Sequence, residues 1–179
     1  MYFLSLVPCA FVSCWPKYLA MKNVVEDIEL ILYEDQYAED FKRLNVEWLE
    51  KYHLAEELDY QVLNDPRGMI LDTGGIIFLA KSGDAIVGSA ALIKEHDHDD
   101  IYELAKMAVD VSQRGKGIGK LLIEKCLQTA REWKAAKVTL FSNSQLKAAI
   151  SMYEKYGFQH TPVSHSPFVT ADVYMELVL

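Results

Sequence analysis

The segment Val109-Asp110-Val111-Ser112-Gln113-Arg114-Gly115-Lys116-Gly117-Ile118-Gly119-Lys120 constrains this chain more than any other. It lies between a predicted strand, Ile101 to Val109, and a predicted long helix, Ile118 to Trp133. Glycines at alternating positions let the backbone turn tightly and approach a ligand with no Cβ in the way. The amides that open a helix have no intrahelical partner and form a ready anion site. Arg114, Lys116 and Lys120 crowd the helix end at which the dipole already disfavours positive charge. A bound polyanion reverses that penalty, and a pyrophosphate is the natural candidate. The loop is not a Walker A motif, because only three residues separate Gly115 from Gly119 and Leu121 follows Lys120. Nor is it the dinucleotide fingerprint, since it reads Gly-x-Gly-x-Gly rather than Gly-x-Gly-x-x-Gly. Taken alone, the loop fits a solvated basic glycine turn equally well.

The rest of the composition makes this basic loop stand out. Lys and Arg number 18 against 26 Asp and Glu in 179 residues, a net charge of −8. That balance argues against nonspecific nucleic-acid binding, which rests on a broad positive field. Half the residues are hydrophobic, enough for a core and too many for a disordered chain. Cys9, Cys14 and Cys126 make neither a disulfide framework nor a zinc site, so the thiols are expected to be reduced and the protein cytoplasmic. Residues 1–16 carry no charge, and 12 of the first 15 are apolar. Pro8, Pro16 and Lys17 interrupt the run before it reaches the length of a membrane span, and the flanks do not suit a signal peptide. Residues 1–20 therefore read as an apolar extension ahead of one domain, residues 21–179.

Within that domain, Ile28–Tyr33 reads as a strand and Asp35 as the cap of the following helix. Tyr37, Phe41, Leu44, Trp48 and Tyr52 fall at helical spacing, a stripe better read as core than as a cofactor box. A short helix over Leu54–Leu63 stops before Asp65-Pro66. Ile76–Ala80 and Ala85–Ile93 flank a hairpin turn at Lys81–Asp84, and Ile101–Val109 follows an acidic connection. After the glycine loop and its helix come a strand at Val138–Phe141, a helix at Leu146–Tyr156, a strand from Phe158 and a last one at Val173–Val178. Antiparallel strands followed by a β-α-β unit imply an α/β (α+β) fold, a mixed, mostly antiparallel sheet with helices on its faces.

Arg114-Gly115-Lys116-Gly117-Ile118-Gly119 after a strand ending in Val109 resembles the acetyl-CoA pyrophosphate loop of the GCN5-related N-acetyltransferase (GNAT) superfamily. Asn143, Ala148-Ala149, Met152-Tyr153 and Tyr156-Gly157-Phe158 look like that family's second signature. Val111 stands where many members have Pro, and Met152 replaces the usual Leu; neither change removes a functional group. The resemblance spans roughly Ile28 to Leu179. It implies a GNAT fold and a transfer of acetyl from acetyl-CoA to a primary amine of a small molecule or peptide, without a metal. It also implies that the backbone of Met107, Ala108 and Val109 pairs with the pantetheine arm. The amides from Arg114 through Gly115, Lys116, Gly117, Ile118 and Gly119 to Lys120 would then hold the pyrophosphate, with Asn143 near the pantetheine. A homodimer is a family-level expectation. A noncatalytic CoA-binding regulatory module and an enzyme using another acyl-CoA are the alternatives.

Acyl transfer to an amine poses two proton problems. An alkyl amine with a free pKa of about 10.4 is mostly protonated at neutral pH, and the departing thiolate benefits from a proton. Tyr153 resembles the family's general acid, and a core aromatic is its competing reading. Glu103 matches a position at which some members carry a base carboxylate, and a solvated strand glutamate competes equally. Cys126 reads as helix core rather than a nucleophile. Glu95-His96-Asp97-His98-Asp99-Asp100 reads as an acidic solvated connection rather than a metal site.

Overall fold

The computed structural model describes residues 27–163 and 166–179; the apolar extension, Cys9 and Cys14 lie outside the described residues. The chain runs β1 (Ile28–Leu32), α1 (Ala38–Lys51), α2 (Glu57–Asn64), β2 (Ile76–Ser82), β3 (Ala85–Lys94), β4 (Ile101–Val109), α3 (Ile118–Glu132), β5 (Lys137–Ser142), α4 (Lys147–Lys155), β6 (Gln159–Thr161) and β7 (Val173–Val178). The seven strands among the described residues form one sheet in the order β1-β2-β3-β4-β5-β7-β6. All neighbours are antiparallel except β4 and β5, joined through the α3 crossover. The expected mixed sheet is what forms.

Helices cover the sheet unequally. α3 packs Ile118, Leu122, Ile123, Cys126 and Leu127 against Ala90, Leu104, Val138 and Leu140 on one face, with α4 beside it. α1 and α2 bring Phe41, Leu44, Leu49, Val62 and Leu63 onto the other face over Ile77, Leu79 and Ala91. Each such side chain taken fully out of water contributes about 1.5–3 kcal/mol. The hairpin turn puts Gly83 at φ 59, where a residue without Cβ is unstrained.

Two local expectations change. Asp35 does not cap α1: a single 3-10 turn over Asp35–Tyr37 precedes the helix, and its cap positions make no side-chain bond. Asp35 instead holds the Arg67 guanidinium, 2.9 Å away, through a paired contact. The helical stripe also divides. Phe41 and Leu44 are core, whereas Trp48 and Tyr52 are only partly buried and line the cleft described below. A wide, π-type turn at Arg67–Leu71 leads from α2 into β2.

The feature that positions the site is a bulge in β4. Opposite β3, Ala105 faces Ala91 and Ala108 faces Ser89, so Lys106 and Met107 share the single position of Ala90. Lys106 adopts φ 50, a left-handed conformation that costs a side-chain-bearing residue about 1–2 kcal/mol. Buried polar groups hold it there. Ser89 Oγ donates to the Lys106 carbonyl at 2.9 Å, and Asn45 Nδ2 donates to Ser89 Oγ at 3.1 Å. Beyond Glu103, paired with Thr139, β4 and β5 part company: β4 stays with β3 and β5 with β7. The separation leaves one backbone edge of Met107–Val109 without a strand partner among the described residues.

Candidate active site

A cleft of about 680 Å³ opens in that separation. At one end it meets the start of α3. Gly115 and Gly117 lie at φ 78 and 86, conformations that other residues rarely adopt. Gly117 turns the chain into the helix, and the first α3 amide to find a backbone acceptor is that of Leu121, 3.1 Å from the Gly117 carbonyl. The amides of Ile118, Gly119 and Lys120 thus keep the unpaired donors of a helix start, aimed where the dipole is positive. Arg114 folds back so that its Nε donates to the Val109 carbonyl at 3.0 Å. Lys116 turns its ammonium to Gln113 Oε1, 2.6 Å away, and its residue is the one in the 114–120 loop that does not line the cleft. Lys120 lies 3.8 Å from Glu124 on the exposed side of the helix.

The middle of the cleft joins the expected residues across three elements. Met107, Ala108 and Val109 come from β4, Asn143 from the end of β5 and Tyr153 from α4. The Tyr153 hydroxyl points at β4, donating to Met107 Sδ at 3.7 Å, while its ring packs edge-on against Phe158. Burial pushes its pKa up to about 12, so the hydroxyl keeps its proton across the physiological range. Sulfur is a weak acceptor, so this hydroxyl remains available to a better one. Asn143 lines the cleft while its Nδ2 donates to the Thr170 carbonyl at 2.6 Å and its Oδ1 accepts from the Gln145 amide at 3.0 Å. Its side chain orders the wall of the cleft.

The other end is walled by α1, α2, β4 and the segment 166–172. Glu103 lies on this side, and burial, its largest influence, pushes its carboxyl up to about 7 against the pull of Lys106. Lys106 Nζ meets Asp59 Oδ1 at 2.5 Å, with both side chains almost fully buried, and sits 5.3 Å from the centre of the Phe168 ring. Sequence reasoning missed Asp59, Lys106 and Phe168. Their alternation with apolar neighbours carries no signal until the bulge and the 166–172 segment bring them together. Cys126 is buried in the α3 core with its thiol pushed up to about 12, which removes it as a nucleophile. In the acidic connection Lys94 pairs with Asp99 at 2.6 Å, and no group of three or more metal-capable side chains occurs among the described residues.

A separated pair of parallel strands leads from the Glu103 carboxylate to a glycine-rich helix start with unpaired amides, an arrangement able to receive an extended ligand with an anionic end. The sequence matches the Acetyltransferase (GNAT) family over residues 32–158, and the chain belongs to that family. It is 27% identical to N-acetyltransferase 8 of Rattus norvegicus over 131 residues, 72% of this chain and 59% of that protein. The chain thus spans about three fifths of that relative's length. The fold superposes on a GNAT acetyltransferase of Staphylococcus aureus with a TM-score of 0.75 at 23% identity, covering 83% of this chain and 97% of the other. It also superposes on the PaiA N-acetyltransferase of Thermoplasma acidophilum, solved in complex with coenzyme A, with a TM-score of 0.66 at 17% identity over 85% and 99%. No described helix is long and apolar enough to cross a membrane.

Proposed function

We propose that this protein is an N-acetyltransferase that moves acetyl from acetyl-CoA directly to a primary amine. The observation that carries the reading is the continuity of the site. The edge of Met107–Val109, which has no strand partner among the described residues, leads from Glu103 to the unpaired amides of α3, with Arg114 Nε on the Val109 carbonyl at its far end. An extended amide-bearing arm pairs with such an edge as an added strand does. The residues present fit the cosubstrate: a pyrophosphate would be held by the amides of Gly115–Lys120 with Arg114 and Lys120 beside them. Lys116 contributes its amide and the general field rather than a direct side-chain contact. When bound, acetyl-CoA supplies the activated acetyl thioester.

The chain's own residues handle the protons. Glu103, with a carboxyl near 7, is a base matched to neutral pH and accepts a proton on the amine side. The amine nitrogen then forms the C–N bond as the C–S bond breaks. Tyr153, on the opposite side of β4's free edge, holds its proton for the sulfur that leaves. Asn143 positions the wall between them through Thr170. Residues 21–179 form the transferase domain in this reading, with 1–20 as an extension. The acidic composition supports a cytoplasmic protein without nucleic-acid partners, and a homodimer follows from the family resemblance, for which light scattering is the test.

The reaction is tested by incubating the protein with acetyl-CoA and an amine panel while following free thiol, with acetyl-CoA affinity measured by calorimetry. Thiol release that depends on the amine supports the reading. Binding with no turnover over a broad panel overturns it in favour of a noncatalytic CoA-binding module.

A further inference from the structure

Charge in the acceptor half of the cleft, together with the segment that roofs it, defines what kind of amine fits. Among the described residues that line this half, three carry charge: Asp59, Glu103 and Lys106. Arg114, Lys120 and Lys147 stand on α3, its loop and α4, on the other side of the strand separation. Asp59 and Lys106 satisfy one another at 2.5 Å, and with side-chain exposures of 6% and 7% they enter as a neutral pair. Glu103 then meets the reacting amine. A polyamine brings further ammonium groups that find no free carboxylate among the described lining residues, and a buried unpaired charge is costly. An amino acid brings a carboxylate that must compete with Asp59 for Lys106. The arrangement selects against both by leaving the extra charge unpaired, the usual basis of strong discrimination.

The remaining surface is aromatic. Trp48 and Tyr52 of the α1 end, Phe141 at the end of β5 and Phe168 of the 166–172 segment face the same cleft. Such rings supply large apolar contact area with little rotamer entropy lost. The 166–172 segment is fixed on both sides rather than loose. Glu56, at the start of α2, accepts from the Val169 amide at 3.0 Å, the Thr170 amide at 2.7 Å and Thr170 Oγ1 at 2.7 Å. Burial works to raise the Glu56 pKa, but these donors outweigh it and hold the carboxylate below its ordinary range. From the far side Asn143 Nδ2 bonds the Thr170 carbonyl, and the Ser144 amide and hydroxyl both donate to Asp172 at 2.7 Å. A segment anchored at both walls holds Phe168 in place at the acceptor half of the cleft.

Resting on the acetyltransferase reading above, we propose that the acceptor is a small primary monoamine with an apolar, aromatic-sized body and no second charge. Trp48, Tyr52, Phe141 and Phe168 contact that body, and Glu56 is the positioning residue that keeps Phe168 over it.

The test compares kcat/KM at saturating acetyl-CoA for 2-phenylethylamine, spermidine, L-aspartate and a lysine-containing peptide. The expected result is a preference for 2-phenylethylamine of about tenfold or more, equivalent to one decade of discrimination. Phe168→Ala and Glu56→Gln should each raise the KM for 2-phenylethylamine several-fold and leave the KM for acetyl-CoA unchanged. A preference for any other member of the panel, or equal use of all four, overturns the inference and leaves the acetyltransferase reading standing. So does a Phe168→Ala enzyme with unaltered selectivity and a native melting profile. No turnover of these four by protein that turns over another amine of the broad panel overturns this inference alone, and acetyl-CoA binding with no turnover across that whole panel removes the acetyltransferase reading and this inference with it.

Discussion

Asp59 and Lys106 form a buried ion pair across the cleft wall, carboxylate to ammonium at 2.5 Å, although 47 residues separate them in the chain. The pair ties α2 to the β4 bulge beside the β4–β5 separation, so one contact links the acceptor end to the edge at which the pantetheine arm is proposed to bind. Removing one member of a buried pair strands the other charge, at a cost of about 3–5 kcal/mol. Asp59→Ala should therefore lower unfolding stability by about that amount in urea titration. Adding Lys106→Met to Asp59→Ala should recover a substantial part of the loss. A double variant no more stable than the single one would show that the ammonium is not stranded, and that the loss arises from α2 packing.

Glu103 makes a prediction in pH. Its carboxyl is raised from 4.5 to about 7, chiefly by burial. The folded protein thus favours the neutral acid more than the unfolded chain does. That stabilisation is fully present below the ordinary carboxylate range and is lost as pH climbs through about 7. Glu103→Gln, neutral at every pH, should melt increasingly above wild type between pH 5 and pH 8. In activity the sign reverses, because the base works deprotonated. Wild-type kcat/KM should rise toward a plateau above about pH 7, and Glu103→Gln should lose most activity together with that limb. A wild-type acid limb retained unchanged in Glu103→Gln would assign the titration to another group.

The loop prediction rests on backbone geometry and on one side chain. Gly117 sits at φ 86, so Gly117→Val strains the turn by about 1–2 kcal/mol and sets a branched side chain where the unpaired α3 amides are offered. Arg114→Ala removes a cation from the same end of the cleft. Both should weaken acetyl-CoA binding about tenfold or more in calorimetry, since charge-assisted contacts to phosphate are among the stronger hydrogen bonds. Arg131→Ala, near the C-terminal end of α3, serves as a control of equal charge and should bind as wild type. Unchanged affinity in both loop variants would move the phosphate site elsewhere.

Much of this architecture is legible in the residues, for identifiable reasons. The limits of β4 and the start of α3 follow from local signals, an apolar run ended by glycines, and both fall where the sequence places them. The bulge at Lys106 is not legible. A lysine gives no sign of a left-handed conformation, and the groups that hold it, Ser89 and Asn45, come from distant elements. Trp48 and Tyr52 were readable as helical apolar positions, but core and cleft use the same spacing and only the strand separation distinguishes them. Asp35 has the chemistry of a cap and is captured instead by Arg67, 32 residues away. The roof is least legible, because Glu56 meets Val169 and Thr170 across 113 and 114 residues of chain.

Tyr153 gives the most direct test of the proton chemistry. Its ring is fixed by Phe158 and its hydroxyl makes only a long bond to Met107 Sδ, 3.7 Å. Tyr153→Phe keeps the ring and should leave stability and acetyl-CoA affinity close to wild type. If the hydroxyl supplies the proton to the leaving sulfur, kcat should fall on the order of 10²–10⁴, the usual contribution of a positioned acid. Because its pKa lies at about 12, the wild-type hydroxyl stays protonated over the assay range, so the deficit should persist at every pH from 6 to about 9 rather than titrate. The measurement requires single-turnover conditions, in which acyl transfer rather than product release sets the observed rate. Wild-type single-turnover rates in folded Tyr153→Phe would remove the tyrosine from the reaction and leave water as the proton source for the sulfur.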